Sequence, residues 1–316
     1  MIKRKYFQHK ETINNLFWRA LQLLGKQGII LLIFFISAKI LSTEDFGIYN
    51  YVLSIAFFLV IIGDFGISTS TSKYVAEYSV TNIKKMRAVL FNSAILILVL
   101  GILISIIVIF FGRNFLGENY DYVLYLLPII ILSPLTSLYD GVYRGLKKFK
   151  KLSLISISVG GTFIIIVYFM VVNFGLIGAI IAQSLFYFSL LIGLFLGHQE
   201  LYFKINKEVM KEVGKYSLLF GLASFGYYLF SRTDLIILGK FGFMEELATY
   251  ELINKIFMVL LMPFAILGQV LAPNFSRFFA EKKYKLIYKK LKKYTLIFFI
   301  LGIIFAASSY FVVPLI

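Results

Sequence analysis

Residues 88–111 read AVLFNSAILILVLGILISIIVIFF, an uncharged and almost wholly apolar stretch. A helix of that length exceeds the roughly 18–20 residues needed to cross the hydrocarbon core of a bilayer. Residues 296–316 form a second uncharged run. The chain of 316 residues is 60% hydrophobic, with a mean hydropathy of +0.87, which is more apolar surface than one soluble core can hide. The sequence therefore predicts a polytopic membrane protein.

The apolar runs recur along the whole chain and predict an all-α fold. An unpaired backbone group in lipid is costly, and the runs are too long for the strands of a membrane barrel. We expect about nine transmembrane helices, at residues 14–41, 47–70, 88–112, 121–145, 152–172, 175–197, 215–239, 247–275 and 294–314.

Basic residues concentrate in every second connection. Of the 32 Lys and Arg residues, 25 lie at the N-terminus and in segments 73–87, 144–151, 204–215 and 277–293. Cytoplasmic loops collect Lys and Arg, so we expect a multi-pass protein of the cell membrane with a cytoplasmic N-terminus. The same distribution explains the net charge of +16 without nucleic acid as a partner.

A short internal repeat indicates how the helices are grouped. Ser72–Glu77 (SKYVAE) and Ser276–Glu281 (SRFFAE) each follow an acidic outer turn and one span. The copies are six helices apart and have the same orientation, as in the parallel halves of some transporters. We therefore expect a six-helix lobe at residues 1–200 and a partial, three-helix lobe at 201–316, so that the second lobe is incomplete.

Several kinds of chemistry lack the residues they need. The chain has no Cys and two His residues far apart, His9 and His198, which argues against a metal site. The sequence also holds no phosphate-binding loop and no hydrolase motif. We therefore expect neither a cofactor nor a metal, and no enzymatic activity.

Polar residues inside the first predicted helix are candidates for function. Arg19, Gln22 and Lys26 are spaced to share one helix face. They could line a cationic, cytoplasm-facing cavity that binds substrate. Alternatively, the side chains extend from the start of the helix to the membrane interface.

The seventh predicted helix carries a second group. Ser231 and Asp234 lie on one face, and Arg232 lies beside it. The guanidinium fork suits phosphate and pyrophosphate recognition, and a carboxylate within a membrane can carry a proton or cation. The open alternative is a structural Arg–Asp pair between helices.

Three further charges complete the candidate set. Glu251 and Lys255 are spaced to pair with each other along the eighth helix, and Asp64 lies in the outer or middle part of the second helix as the topology predicts. We assign Lys255 to substrate binding, and Asp64, Asp234 and Glu251 to ion coupling. Asp64 could equally pack helices together, and Asp140 is expected to form a structural pair with Arg144.

Several short stretches form a set in a fixed order along the chain. They are Leu41–Tyr49, Gly63–Ile67, Lys73–Tyr78, Arg144–Phe149 and Asp234–Phe241, followed by Tyr250 and Pro273. The set resembles the polysaccharide (O-antigen and teichoic-acid type) flippases of the multidrug/oligosaccharidyl-lipid/polysaccharide flippase superfamily. A Lys at position 39 stands where relatives usually have Arg.

The resemblance implies two six-helix lobes that alternate between inward- and outward-open states. It also implies export of a polyprenyl-pyrophosphate-linked glycan, with cationic cavity residues receiving the pyrophosphate, and polysaccharide-assembly enzymes as partners. By position, Arg19, Lys26, Arg232 and Asp234 are the residues carried over. Two alternatives stay open: a cation-coupled drug antiporter of the same fold, and a membrane glycan polymerase or transferase.

Overall fold

The computed structural model describes residues 17, 18, 21, 22, 25, 28–197, 204–258, 261 and 284–312. Within these residues the secondary structure is helical, without strands, which confirms the all-α class. The chain packs as two compact units, Met1–Glu251 and Leu252–Ile316. The helices are α1 (Gly28–Ile40), α2 (Thr43–Asp64), α3 (Ile67–Thr81), α4 (Ile83–Leu116), α5 (Tyr120–Gly145), α6 (Phe149–Gly197), α7 (Lys207–Lys240), α8 (244–258) and α9 (Tyr284–Val312).

Three described stretches are apolar and long enough to cross a membrane: Thr43–Asp64, Ile83–Gly145 and Phe149–Gly197. The second stretch contains α4 and α5. The third bends at Gly175, whose φ of 53° and ψ of −133° are not helical. Gly178 lies against the carbonyl of Met170, so the two halves of α6 turn back on each other, as two of the predicted spans require. The count of nine spans stays a prediction.

The second predicted span is broken. α2 ends at Asp64, and the chain passes through two left-handed residues, Phe65 (φ 35°, ψ 41°) and Gly66 (φ 78°, ψ 7°), before α3 begins. The 22 residues of α2 are about 33 Å long, which is enough to cross the bilayer core. Asp64 is the last residue of α2, directly before the break, and its outer or middle position in the membrane stays a prediction.

Close backbone contact holds α3 against α5. A side chain at Gly141 would lie 2.7 Å from the carbonyl oxygen of Ser68, and one at Gly145 would lie 2.9 Å from that of Ser72. Small residues four apart on both helices permit this approach, which is a common way of packing helices in membranes.

The long helix α7 packs along α2, α3 and α4. Gly221 of α7 meets the α2–α3 break, where an added side-chain atom would lie 2.6 Å from the Phe65 oxygen. Nearer its end, Leu235 packs with Tyr51 of α2 and Leu247 of α8. The opposite face of α7 exposes large apolar side chains, including Leu219 and Phe230.

Candidate functional site

The turn between α7 and α8 places two groups of polar residues side by side. α7 ends at Lys240, Gly242 adopts a positive φ of 81°, and α8 starts at residue 244. Because the turn is short, the last two turns of α7 face the first two turns of α8. We call the facing residues Arg232, Asp234, Tyr250 and Glu251 the α7–α8 charge cluster.

Arg232 and Glu251 form the centre of this cluster. Nη1 of Arg232 donates to both carboxylate oxygens of Glu251, at 2.9 and 3.0 Å. The Glu251 side chain is 3% exposed and that of Arg232 is 19% exposed. From the sequence, Arg232 was expected to serve the substrate or to join an Arg–Asp pair between helices, and the pairing of Glu251 with Lys255 stays a prediction. The structure pairs the two residues with each other, because the turn places them at the same level.

Asp234 is bound from two sides. The backbone N–H of Leu235 donates to Oδ1 at 2.9 Å, and the Tyr250 hydroxyl donates to Oδ2. Asp234 is half-buried and Tyr250 is exposed. Ser231 donates only to the carbonyl of Tyr228 on its own helix, at 3.4 Å.

Tyr228, one helical turn before Arg232, was not predicted as part of the site. It is buried, and its hydroxyl donates to the backbone carbonyl of Ser54 on α2. The helical spacing from Arg232 could have identified it, but the contact with a residue 174 positions earlier could not be read from the sequence.

Gln22 belongs to a different polar group. Gln22 is buried, and its Nε2 donates to Oδ1 of Asp140 at 3.2 Å. Nε of Arg144 lies 2.7 Å from the other oxygen of Asp140, which confirms the predicted pair. Arg19 and Lys26 lie outside the described residues, so their common face with Gln22 stays a prediction.

Asp64 lies outside the cluster, at the end of α2. The Asp64 carboxylate accepts the backbone N–H of Ser68 at 3.1 Å and also its hydroxyl, so it caps the first turn of α3. Lys255 is a half-buried residue of the second compact unit.

A second polar group joins α3 and α4 to the start of α7. Lys85 Nζ lies 2.9 Å from a carboxylate oxygen of Glu208, and Tyr78 donates to Glu212. The hydrogen bond to Glu208 raises the pKa of Lys85, and burial together with the Glu212 carboxylate raises the pKa of Tyr78. Lys73 lies over the ring of Tyr216, 4.0 Å from its centre.

Residues 12–279 match the model of a family described as polysaccharide biosynthesis protein. The chain belongs to this family. It is also 29% identical over 233 residues to an uncharacterized membrane protein of Methanocaldococcus jannaschii, covering 68% of this chain and 56% of the relative. The chain thus spans about half the length of that relative. The family match and the apolar helices together describe a multi-pass membrane protein.

Two solved structures with a similar fold are described as multidrug transporters. An inward-facing multidrug resistance transporter of the MATE family and MOP superfamily aligns with a TM-score of 0.65 and 16% identity, covering 83% of this chain and 66% of that one. The MATE multidrug transporter DinF-BH aligns with a TM-score of 0.66 and 18% identity, covering 84% of this chain and 64% of that one. At this identity the likeness shows the fold alone.

Proposed function

We propose that this family member moves a polyprenyl-pyrophosphate-linked oligosaccharide from the cytoplasmic to the outer leaflet by alternating access. The observation that carries the proposal is Arg232, a partly exposed cation that the Glu251 carboxylate holds between two apolar helices. Charge within a membrane is expensive and is kept mainly where a protein uses it.

The geometry of the pair suits a reversible exchange of anions. Glu251 occupies one nitrogen of the guanidinium, Nη1, and an arginine carries five N–H donors. A pyrophosphate could therefore bind the partly exposed guanidinium and take over Nη1. Glu251, which is almost fully buried, would then lose its contact with the guanidinium. Substrate binding and ion coupling would be linked through this one pair.

The two aspartates are unequal candidates for ion coupling in this proposal. Asp234 is held by a hydroxyl and a backbone N–H, so it can still exchange a proton or cation. Asp64 serves α3 as a cap, which makes it the weaker candidate for ion coupling. The proposal also includes substrate contacts by five further residues: Arg19, Gln22, Lys26, Ser231 and Lys255. It includes a cytoplasmic N-terminus, and polysaccharide-assembly enzymes as partners.

Mass spectrometry of lipids that co-purify with the full chain tests this function. We expect a polyprenyl-pyrophosphate saccharide with the wild type and its loss from Arg232→Lys, which keeps the charge but not the fork. Lys85→Arg is the matched control, because Lys85 pairs with Glu208 at the start of α7, away from Arg232. Phospholipid alone in every sample, with intact surface glycan in cells lacking the protein, would contradict the proposal.

A cation-coupled drug antiporter is the second candidate. The observation in its favour is that structural neighbours of the chain are multidrug transporters. That function predicts proton-dependent efflux of a cationic dye, abolished by Glu251→Gln or Asp234→Asn. Asp64→Asn is less informative, because the residue caps α3. Glycan extension by the purified chain would instead favour a polymerase or transferase.

A further inference from the structure

A pocket of about 490 Å³ opens at one end of the first unit, beyond the α7–α8 charge cluster. It is lined by residues from three places: the start of α2, the turn between α4 and α5, and the turn between α7 and α8. These are the acidic, short connections that the charge distribution assigns to the outside of the membrane. The volume lies within the range of small-molecule sites, about 300–1,000 Å³.

The polar side chains around this pocket have no partner within the described part of the chain. None of these five side chains takes part in an intramolecular hydrogen bond or ion pair among the described residues. Asn119, the residue before α5, does not cap that helix with its side chain. Together they offer two carboxylates, two amides and one ammonium group. These residues are Glu44, Asn114, Glu118, Asn119 and Lys240.

The backbone and one aromatic ring add to the site. Gly117 and Gly242 both have positive φ, at 55° and 81°, and a side chain added at either would meet open space. Bare backbone at such positions lets a ligand approach closely. Phe115 presents a ring that is 76% exposed at the same pocket, and Tyr51, which is buried, forms part of the lining on the packed side.

We infer that this pocket binds saccharide units. A sugar needs donors and acceptors together and a flat apolar face for its C–H groups, and this pocket supplies all three. The pocket disfavours an anionic ligand, because its two carboxylates outnumber its one ammonium group. In the described residues no three His, Cys, Asp or Glu side chains come close enough to hold a metal ion.

The inference rests on the proposed function, which it extends to the glycan. Arg232 and Lys240 are eight residues apart on α7, about 12 Å along the helix axis. That distance is short enough for a glycan of a few sugars to span when its pyrophosphate is held at Arg232. The pocket would keep the glycan on the outer side after transfer.

Saturation-transfer NMR on the full chain in lipid nanodiscs tests the inference directly. The probes are methyl glycosides of glucose, galactose and N-acetylglucosamine, with glycerophosphoethanolamine as a lipid-headgroup probe. We expect transfer to at least one glycoside at millimolar concentration, reduced at least fivefold in the double variant Asn114→Ala, Glu118→Gln. The matched control, Glu246→Gln, changes an exposed acid of the same end that does not line the pocket and should keep the signal.

The outcomes distinguish a failure of the saccharide pocket from a failure of the proposed flippase function. Transfer to no glycoside, transfer to the headgroup probe alone, or equal transfer in wild type and the double variant would overturn the saccharide pocket, even if pyrophosphate lipid co-purifies. Variant-sensitive transfer supports the pocket. If the lipid-linked glycan is then also retained by the wild type, the ligand is the carried glycan. If it is absent, the ligand is free saccharide and only the flippase proposal fails.

Discussion

Removing one partner of the Arg232–Glu251 pair should destabilise the protein much more than removing both. The Glu251 side chain is 3% exposed and that of Arg232 is 19% exposed. Truncating one member of a buried pair costs about 3–5 kcal/mol, because the other charge stays desolvated, whereas replacing both by apolar residues is often neutral or stabilising. Since Arg232 keeps some exposure, we expect about 3 kcal/mol for Glu251→Leu.

The double variant Arg232→Met, Glu251→Leu should stay within about 1 kcal/mol of the wild-type free energy of unfolding. The coupling energy from the double-mutant cycle should then exceed about 2 kcal/mol. Reversible unfolding by SDS in mixed micelles, followed by circular dichroism, measures all four proteins. The comparison pair is Lys85–Glu208, with side chains 26% and 65% exposed, for which the coupling should stay below about 1 kcal/mol.

Additive losses would refute this reasoning. If each single variant loses less than about 1 kcal/mol and the double loses their sum, the two groups do not depend on each other in the folded protein. The double variant also separates folding from transport. It should fold and yet retain no pyrophosphate lipid, since the guanidinium is absent.

Three further predictions use the same unfolding measurement. Gly175→Ala should cost about 1–3 kcal/mol, because its backbone conformation is strained for other residues, while Gly161→Ala, in a helix with open space around it, should be neutral or stabilising. Gly141→Leu should lose about 1–3 kcal/mol or fail to fold, because a side chain would press on the Ser68 carbonyl. Asp64→Asn should preserve most of the cap on α3, while Asp64→Ala should lose about 1 kcal/mol; equal losses would contradict the capping role.

Much of the helical pattern could be predicted, because a run of apolar residues is visible in the sequence without knowledge of the tertiary contacts. Lys240 and Glu118 lie in predicted outer turns and line the same pocket, so these connections do share one end. The break at Phe65 could not be predicted. No proline interrupts that stretch, and the left-handed turn is favoured by contact between Gly66 and α7, more than 140 residues away, where an added side-chain atom would lie 2.6 Å from the Ser217 oxygen.

The charged residues of the site were found individually, but their pairing was not. An ionisable residue within an apolar helix is visible in the sequence because it is rare there. Its partner depends on the turn that follows. The three residues 241–243 bring Glu251 level with Arg232, a contact across a turn, whereas helix periodicity points only to neighbours on the same helix.

The contacts of α7 also indicate which end of the first unit separates more easily. Near its start, α7 is held by the Lys85–Glu208 pair and by the buried hydroxyl of Ser70 on the Val213 carbonyl. The glutamate of the pair is 65% exposed, so water can replace this contact on opening at a cost of about 1 kcal/mol or less. Near its end, α7 is held by the buried Arg232–Glu251 pair and by the packing of Leu235. Apolar burial costs about 25 cal/mol per Å² to expose, and water replaces a buried ion pair less readily than an exposed one. Because the chain has no Cys, single thiols can report the difference. Val213→Cys and Ala248→Cys replace residues that are 0% and 2% exposed, and a maleimide should modify the first faster; faster reaction at position 248 would mean that the apolar end opens first.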